Sequence, residues 1–302
     1  MNLPTRHLAD IGDRVLCVRV RGQGPTVVLE AGGAGEGTTG VGYGEGLEER
    51  LATFATVLTY DRAGSGRSNG PPRRSIAQMA DDLDAVICSM GCAAPVIVVG
   101  WSTGGLVAEM FAVRHPDKVA GVVLLDPTSE MPTEPRICRY LRLALGAVQL
   151  GVGALAAQLG FFRTRAGRSL ARRMAGPYAS NEGLEYAYRA WNYPRAIWQL
   201  ARVTSRLSRY MGETTAALRA ASLPDVPVRV VVPRRRTGLS PTYARRMDAA
   251  HRALAEQFSR GELVLADRAS HLVPIDRPDL VINAVRDLLA PNPTSQEAAG
   301  GT

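Results

Sequence analysis

Ser102 stands in the run Val96-Ile97-Val98-Val99-Gly100-Trp101-Ser102-Thr103-Gly104-Gly105. Four β-branched residues end in glycine, a serine follows between small residues, and a long apolar-periodic run comes after it. A buried strand turning sharply into a helix has this pattern. At a G-x-S-x-G turn a strained backbone lifts the serine hydroxyl clear of both elements, which suits a nucleophile. Glycine at positions 100 and 104 leaves room, since a side chain at either would meet neighbouring backbone. An ordinary glycine-rich strand–helix turn has the same composition, so the chemistry depends on what the rest of the chain brings to Ser102.

The elements that must position this serine begin with strands over residues 14–21 and 26–31. The second is almost wholly apolar, as expected of a strand covered on both faces. The loop Gly32-Gly33-Ala34-Gly35-Glu36-Gly37 follows. Backbone this bare approaches a ligand closely and points N–H groups at it, although alone it reads equally as a surface loop. A short helix over 47–54 and a strand over 56–60 lead to Asp61-Arg62-Ala63-Gly64-Ser65-Gly66-Arg67-Ser68, a tight loop with an expected structural role, Asp61 and Arg62 bonding nearby backbone. Ser75, with Gln78 three residues on, caps a helix running to about residue 90. Beyond Ser102 come a helix to about His115 and a buried strand over 119–125. Strands over 224–233 and 262–266 then alternate with helices beginning at Ser240-Pro241 and at Asp276.

This rhythm predicts an α/β protein with a mostly parallel, doubly wound sheet. Ligands bind such sheets beyond the carboxyl ends of the strands. Ser102, Asp61, Asp126 and residues 32–35 all fall at that end.

Length and composition bound the rest. The 302 residues, 46% hydrophobic and 21% charged, are those of a globular chain with a substantial core. The N-terminus has no apolar signal-like stretch, so the expected home is the cytoplasm. Cys17, Cys88, Cys92 and Cys138 follow no framework spacing and read as reduced thiols, and neither they nor the four histidines suggest a metal site. The net charge of +8 is segregated: residues 130–222 hold 14 Arg against 5 Asp/Glu and no Lys.

Taken together, Gly100-Trp101-Ser102-Thr103-Gly104, the Asp61–Ser68 loop, Arg114-His115-Pro116-Asp117 before a strand, and Ser270-His271-Leu272-Val273-Pro274-Ile275-Asp276-Arg277-Pro278 resemble the α/β-hydrolase superfamily over roughly residues 14–128 and 224–290. The resemblance implies an α/β-hydrolase fold with a core over 1–129 and 223–290, a helical, Arg-rich cap over 130–222 inserted between strands six and seven, and a disordered tail over 291–302. It also implies a nucleophile, an acid and a histidine in that chain order. Ser102 is then the nucleophile and His271 the base, while His7, His115 and His251 lie outside any matching motif. Many members carry the acid just after strand seven, but Pro233-Arg234-Arg235-Arg236-Thr237-Gly238-Leu239 holds no carboxylate. Others place it after strand six, where this chain has Asp126. Asp248 is a weaker candidate, a site without a third member is another reading, and Arg234–Arg236 have no assigned role. Thr103 and Gly33 are the expected oxyanion-hole donors. A serine at 102 argues against the carboxylate-nucleophile chemistry of epoxide hydrolases and dehalogenases in this family.

No cofactor or metal is implied. The expected activity is a serine hydrolase acting on an ester, thioester or lactone of an apolar small molecule. An acyltransferase or cyclase using the same Ser-His pair, and a non-catalytic ligand-binding protein on this fold, are the alternatives. Residues 143–162 carry no charge, and at ~1.5 Å per residue a helix of that length just crosses a bilayer. Topology opposes a crossing, because both ends of the segment must return to one sheet. The expectation is one or two cap helices over the site that supply an apolar substrate wall. Arginines flanking this stretch leave three readings: solvated side chains, an anionic membrane surface, or an acidic substrate or carrier. Nothing resembles a nucleic-acid-reading module.

Overall fold

The computed structural model describes residues 6–39, 41–43, 45–131, 134–236 and 239–290. The expected tail over 291–302 lies outside the described residues. Eight strands form one sheet: β1 (Arg6–Asp10), β2 (Val15–Arg21), β3 (Thr26–Glu30), β4 (Thr56–Tyr60), β5 (Val96–Trp101), β6 (Val119–Leu125), β7 (Pro227–Pro233) and β8 (Arg260–Ala266). Their order across the sheet is β1-β2-β4-β3-β5-β6-β7-β8. β1, β2 and β4 pair antiparallel, and β4 through β8 pair parallel. No apolar alternation marks residues 6–10 in the sequence; β1 is an exposed edge strand in which only Ala9 is buried, and His7 lies on it.

The central parallel strands β3, β5 and β6 are buried on both faces because helices cover both. Along β5, Val96 and Val98 pack with the helices α2 (Ile76–Ser89) and α3 (Thr103–Arg114), while Ile97, Val99 and Trp101 face the other way. On that other side lie α1 (Glu45–Leu51) and a C-terminal helix over Pro278–Leu289, which contribute Leu47, Leu51, Val281 and Val285. Alternation with period two thus sorts one run of valines and isoleucines into two cores.

Between β6 and β7 the chain leaves the sheet as four helices: α4 (Arg136–Gln158), α5 (Arg165–Ala175), α6 (Asn181–Trp191) and α7 (Pro194–Ala220). The 27-residue α7 is the anchor, sending Tyr210, Met211 and Leu218 into the core shared with α2 and α3. α4 lies along α7 on a face of small residues. A Cβ on Gly153 would stand 2.8 Å from Trp191, so the tryptophan ring occupies space that only glycine leaves open. After β7 come α8 (Pro241–Glu256), the short α9 (Val273–Asp276) and α10 (Pro278–Leu289).

One expectation about the insertion needs correction. Residues 143–162 are mostly one helix, but its leucines and valines do not form the substrate wall. Leu145, Val148, Val152 and Leu155 are each more than half exposed, and Leu150 alone of that stretch reaches the cavity. Small residues on the inner face let α4 sit close to α7, which leaves the larger ones outside.

Candidate active site

Ser102 occupies the turn between β5 and α3 with φ 54° and ψ −118°, a left-handed conformation that costs a non-glycine residue on the order of 1 kcal/mol or more. What holds it there is close packing of the turn. A Cβ on Gly104 would run into Glu30 O and lie 2.6 Å from Ala31 O, and one on Gly100 would lie 2.6 Å from Gly104 O. Ser102 N donates to Leu125 O at 3.0 Å, tying the turn to the end of β6.

Asp126 follows β6 immediately and also has positive φ, 38°. Ser102, Asp126 and Arg268 are the non-glycine positive-φ residues among the described positions, so two of three lie at the ends of β5 and β6. Asp126 Oδ2 stands 2.7 Å from His271 Nδ1. Its carboxylate is buried, whereas the His271 side chain is 54% exposed. Burial alone would raise the Asp126 carboxyl, but the hydrogen bond to His271 and the positive charges of His271 and Arg236 outweigh it and hold the group well below the usual carboxylate range. An ionised Asp126 accepting from Nδ1 selects the tautomer that leaves Nε2 free as a base.

Arg236, one of three arginines without a role in the sequence, supplies the second contact. Its Nη2 lies 2.8 Å from Asp126 Oδ1, and its Nε donates to Asp248 Oδ1 at 2.9 Å. Nη2 also lies 3.0 Å from His251 Nδ1, and His251 Nε2 lies 2.8 Å from Pro127 O. An arginine only donates, so His251 accepts at Nδ1 and donates from Nε2 to the carbonyl beside Asp126. Burial lowers the His251 pKa and favours that neutral form. Asp248 does not contact His271; it is an exposed partner of Arg236. Arg234 pairs with Asp267 at the surface.

The His271 loop is fixed by two contacts. Trp101 Nε1, one residue before Ser102, donates to His271 O at 2.9 Å. Asp276 Oδ2 accepts from Ser270 N at 2.9 Å, and its Oδ1 accepts from Ser180 N at 2.7 Å, so one carboxylate ties the histidine loop to the helical insertion. α9 ends at Asp276 and the last helix begins at Pro278, not at Asp276 as expected.

The glycine loop is held from below. Arg62 Nη2 donates to Ala31 O at 3.1 Å and also to Gly32 O. Asp61 accepts from Thr38 N at 2.8 Å and Arg67 N at 3.0 Å, so both residues bond backbone as expected. Gly33 faces the start of α3: a Cβ there would lie 3.6 Å from Thr103 Oγ1 and would clash with Leu200. Buried Glu30, pushed up to about 7 by burial against the opposing charge of Arg62, closes this network from inside the sheet with Tyr60 Oη at 2.6 Å.

Ser102, His271 and Gly32–Gly35 line one cavity of about 310 Å³. Its far wall comes from the insertion: Met174, Tyr186, Trp191, Ile197 and Leu200 among others. Tyr186 Oη donates to Val41 O at 2.7 Å, fastening α6 over the core. Of the insertion's aromatic residues Tyr186, Trp191, Tyr193 and Trp198, the first two line this cavity and the other two do not. Among the described residues no group of His, Cys, Asp and Glu has a metal-holding arrangement.

The fold and the elbow-like serine turn place this chain in a known class. A family model described as the alpha/beta hydrolase family matches residues 32–284, and the chain belongs to that family. A pimeloyl-[acyl-carrier protein] methyl ester esterase of Chromobacterium violaceum is 34% identical over 171 residues, covering 56% of this chain and 61% of that protein. The chain thus spans about three fifths of that relative's length. The fold is shared with an esterase from Thermogutta terrifontis (TM-score 0.67, 22% identity, covering 94% of this chain and 98% of the other). It is also shared with the enol-lactonase of Burkholderia xenovorans (TM-score 0.66, 21% identity, 94% and 99% covered).

Proposed function

We propose that the protein is a serine hydrolase that cleaves an ester, thioester or lactone of an apolar acid through an acyl-enzyme on Ser102. The observation that carries this reading is the 2.7 Å contact between His271 Nδ1 and buried Asp126, in the same cavity mouth as a serine held at φ 54°.

In this mechanism His271 Nε2 takes the Ser102 proton as Oγ attacks the acyl carbon. In this reading the N–H groups of Gly33 and Thr103 stabilise the developing oxyanion. On collapse His271 returns the proton to the leaving oxygen or sulfur. Water then attacks the acyl-enzyme by the same route and frees Ser102. Asp126 keeps Nδ1–H oriented and offsets the imidazolium charge at each step. The wall of Trp191, Ile197 and Leu200 suits the hydrocarbon part of the acyl group. The esterase named for Chromobacterium violaceum and the enol-lactonase named for Burkholderia xenovorans fit this substrate class.

The test is hydrolysis of nitrophenyl esters of increasing acyl length. Saturable turnover that improves with chain length and vanishes in S102A supports the reading. Failure to turn over any ester, thioester or lactone in the series, with the protein folded, overturns it.

A further inference from the structure

Six large apolar residues along α4 and at its C-cap, Leu141, Leu145, Val148, Val152, Leu155 and Leu159, are spaced four, three, four, three and four apart. At 3.6 residues per turn they fall within an arc of about 80° along a stripe about 27 Å long. Every one is at least half exposed, from 52% for Leu155 to 79% for Leu159. A surface helix ordinarily turns such a stripe inward. Here the inward face is taken by Gly151, Gly153, Ala154 and Ala157 against α7 and Trp191, so the stripe has no partner within the fold. An apolar patch of this extent marks an interaction surface.

The charge around it identifies the occupant. From Pro135 to Asn181 the chain has eight arginines and no Asp, Glu or Lys. Arg139 and Arg142 are paired with Glu130 and Glu134. Arg163, Arg165, Arg172 and Arg173 at the far end of the stripe and on α5 are exposed, and among the described residues none has a carboxylate partner. A second copy packed across α4 would bring up the same surface, which has no Asp or Glu between residues 135 and 181 to meet these arginines. An acidic carrier protein would meet the arginines but leave the leucines and valines in water. An anionic bilayer surface satisfies both, taking the stripe among its acyl chains and the guanidinium groups at its phosphates.

We propose that α4 docks in the plane of an anionic membrane surface. α4 is long and apolar enough to cross a bilayer by length and composition, but both of its ends are tied to one sheet, so it lies on the membrane and does not span it. The surface also opens to the site. Leu150 of α4 lines the Ser102 cavity from the opposite side of the stripe, and Met174 both lines it and is half exposed. An apolar substrate therefore enters from the lipid past Met174. This last step rests on the hydrolase reading; the docking does not.

Flotation of the full-length protein with vesicles, without substrate, tests the docking. The protein is expected to float with phosphatidylcholine vesicles containing phosphatidylglycerol, to stay behind with phosphatidylcholine alone, and to release at high salt. V148E with V152E should abolish flotation, and R165E with R172E should cut partitioning at least thirty-fold, each leaving circular dichroism and melting unchanged because all four side chains are exposed. The proposal is overturned by no preference for the anionic vesicles, by unimpaired flotation of V148E/V152E, or by a dimer in light scattering that V152E dissociates. Capture of a purified acidic acyl carrier with no vesicle binding would assign the surface to that partner instead. Vesicle binding by a protein that turns over no ester would sink the hydrolase reading alone.

Discussion

Arg236 and Asp126 meet in the interior, Nη2 to Oδ1 at 2.8 Å, with both side chains at most 5% exposed. Arg236 comes from the segment after β7, where many α/β-hydrolases carry their acid, and here that segment delivers a cation to an acid after β6. The carboxylate is thereby used on both oxygens, Oδ2 by His271 and Oδ1 by Arg236. The arrangement keeps Asp126 ionised and fixes its rotation, and the rotation fixes His271.

Removing Asp126 and removing Arg236 should therefore fail differently. D126N is expected to lower kcat by about a thousand-fold or more with KM little changed, because the amide favours the wrong imidazole tautomer. R236M leaves His271 its partner but strands a buried carboxylate oxygen. It should cost about 3 kcal/mol of stability and a smaller loss of kcat, roughly 10- to 100-fold. Steady-state kinetics and thermal melts of the two variants check this, and equal losses of kcat would refute the division of roles.

At Gly33 the prediction concerns space. G33A puts a methyl group against Leu200, and the glycine loop must shift where the oxyanion is to bind. A drop in kcat of about 100-fold is expected. Making room with L200A should recover part of it, since the clash is with a side chain. A double variant no better than G33A would place the constraint elsewhere.

How much of this was legible in the residues depends on range. The Ser102 turn is local, written in four β-branched residues and the glycines beside the serine, and its positive φ follows from that packing. Asp126 is one residue past a buried strand, so its place at the sheet's carboxyl edge was readable too. Arg236 was not: three consecutive arginines look alike until the fold turns Arg236 inward and leaves Arg234 at the surface with Asp267. The contacts of His251, 124 residues from Pro127 in sequence, are hidden for the same reason. α4 shows a further limit. Its periodicity predicts an apolar stripe whichever way the stripe faces, and only the small residues opposite, packed on α7, reveal that it faces out.

A buried acid outside the site sets a pH dependence of stability. Glu109 in α3 is fully buried, and burial pushes it up to about 8 from 4.5. Its proton is held in the folded state and released on unfolding between those values, so its contribution is complete below pH 4.5 and is lost as pH rises through about 8. E109Q, which carries no charge to bury, should melt close to wild type at pH 5 and several degrees above it at pH 9, as roughly 2–4 °C per kcal/mol implies. Melting curves for both proteins across that range decide it. A constant difference would mean that Glu109 does not titrate there.

Substrate length should be read by the wall of the insertion. I197W narrows the cavity between Trp191 and Leu200, so short acyl esters should keep their kcat/KM while long ones lose about ten-fold or more. The ratio across a chain-length series is the measurement, and a uniform loss would place the acyl chain elsewhere.

Covalent labelling with a fluorophosphonate tests the central claim most directly. The mechanism requires Ser102 Oγ to be the activated nucleophile, so the folded protein should acquire one phosphonyl group, located on Ser102 by peptide mass spectrometry and absent in S102A. D126N should label far more slowly. A folded wild-type protein that takes up no label, or takes it up on another residue, would contradict the account.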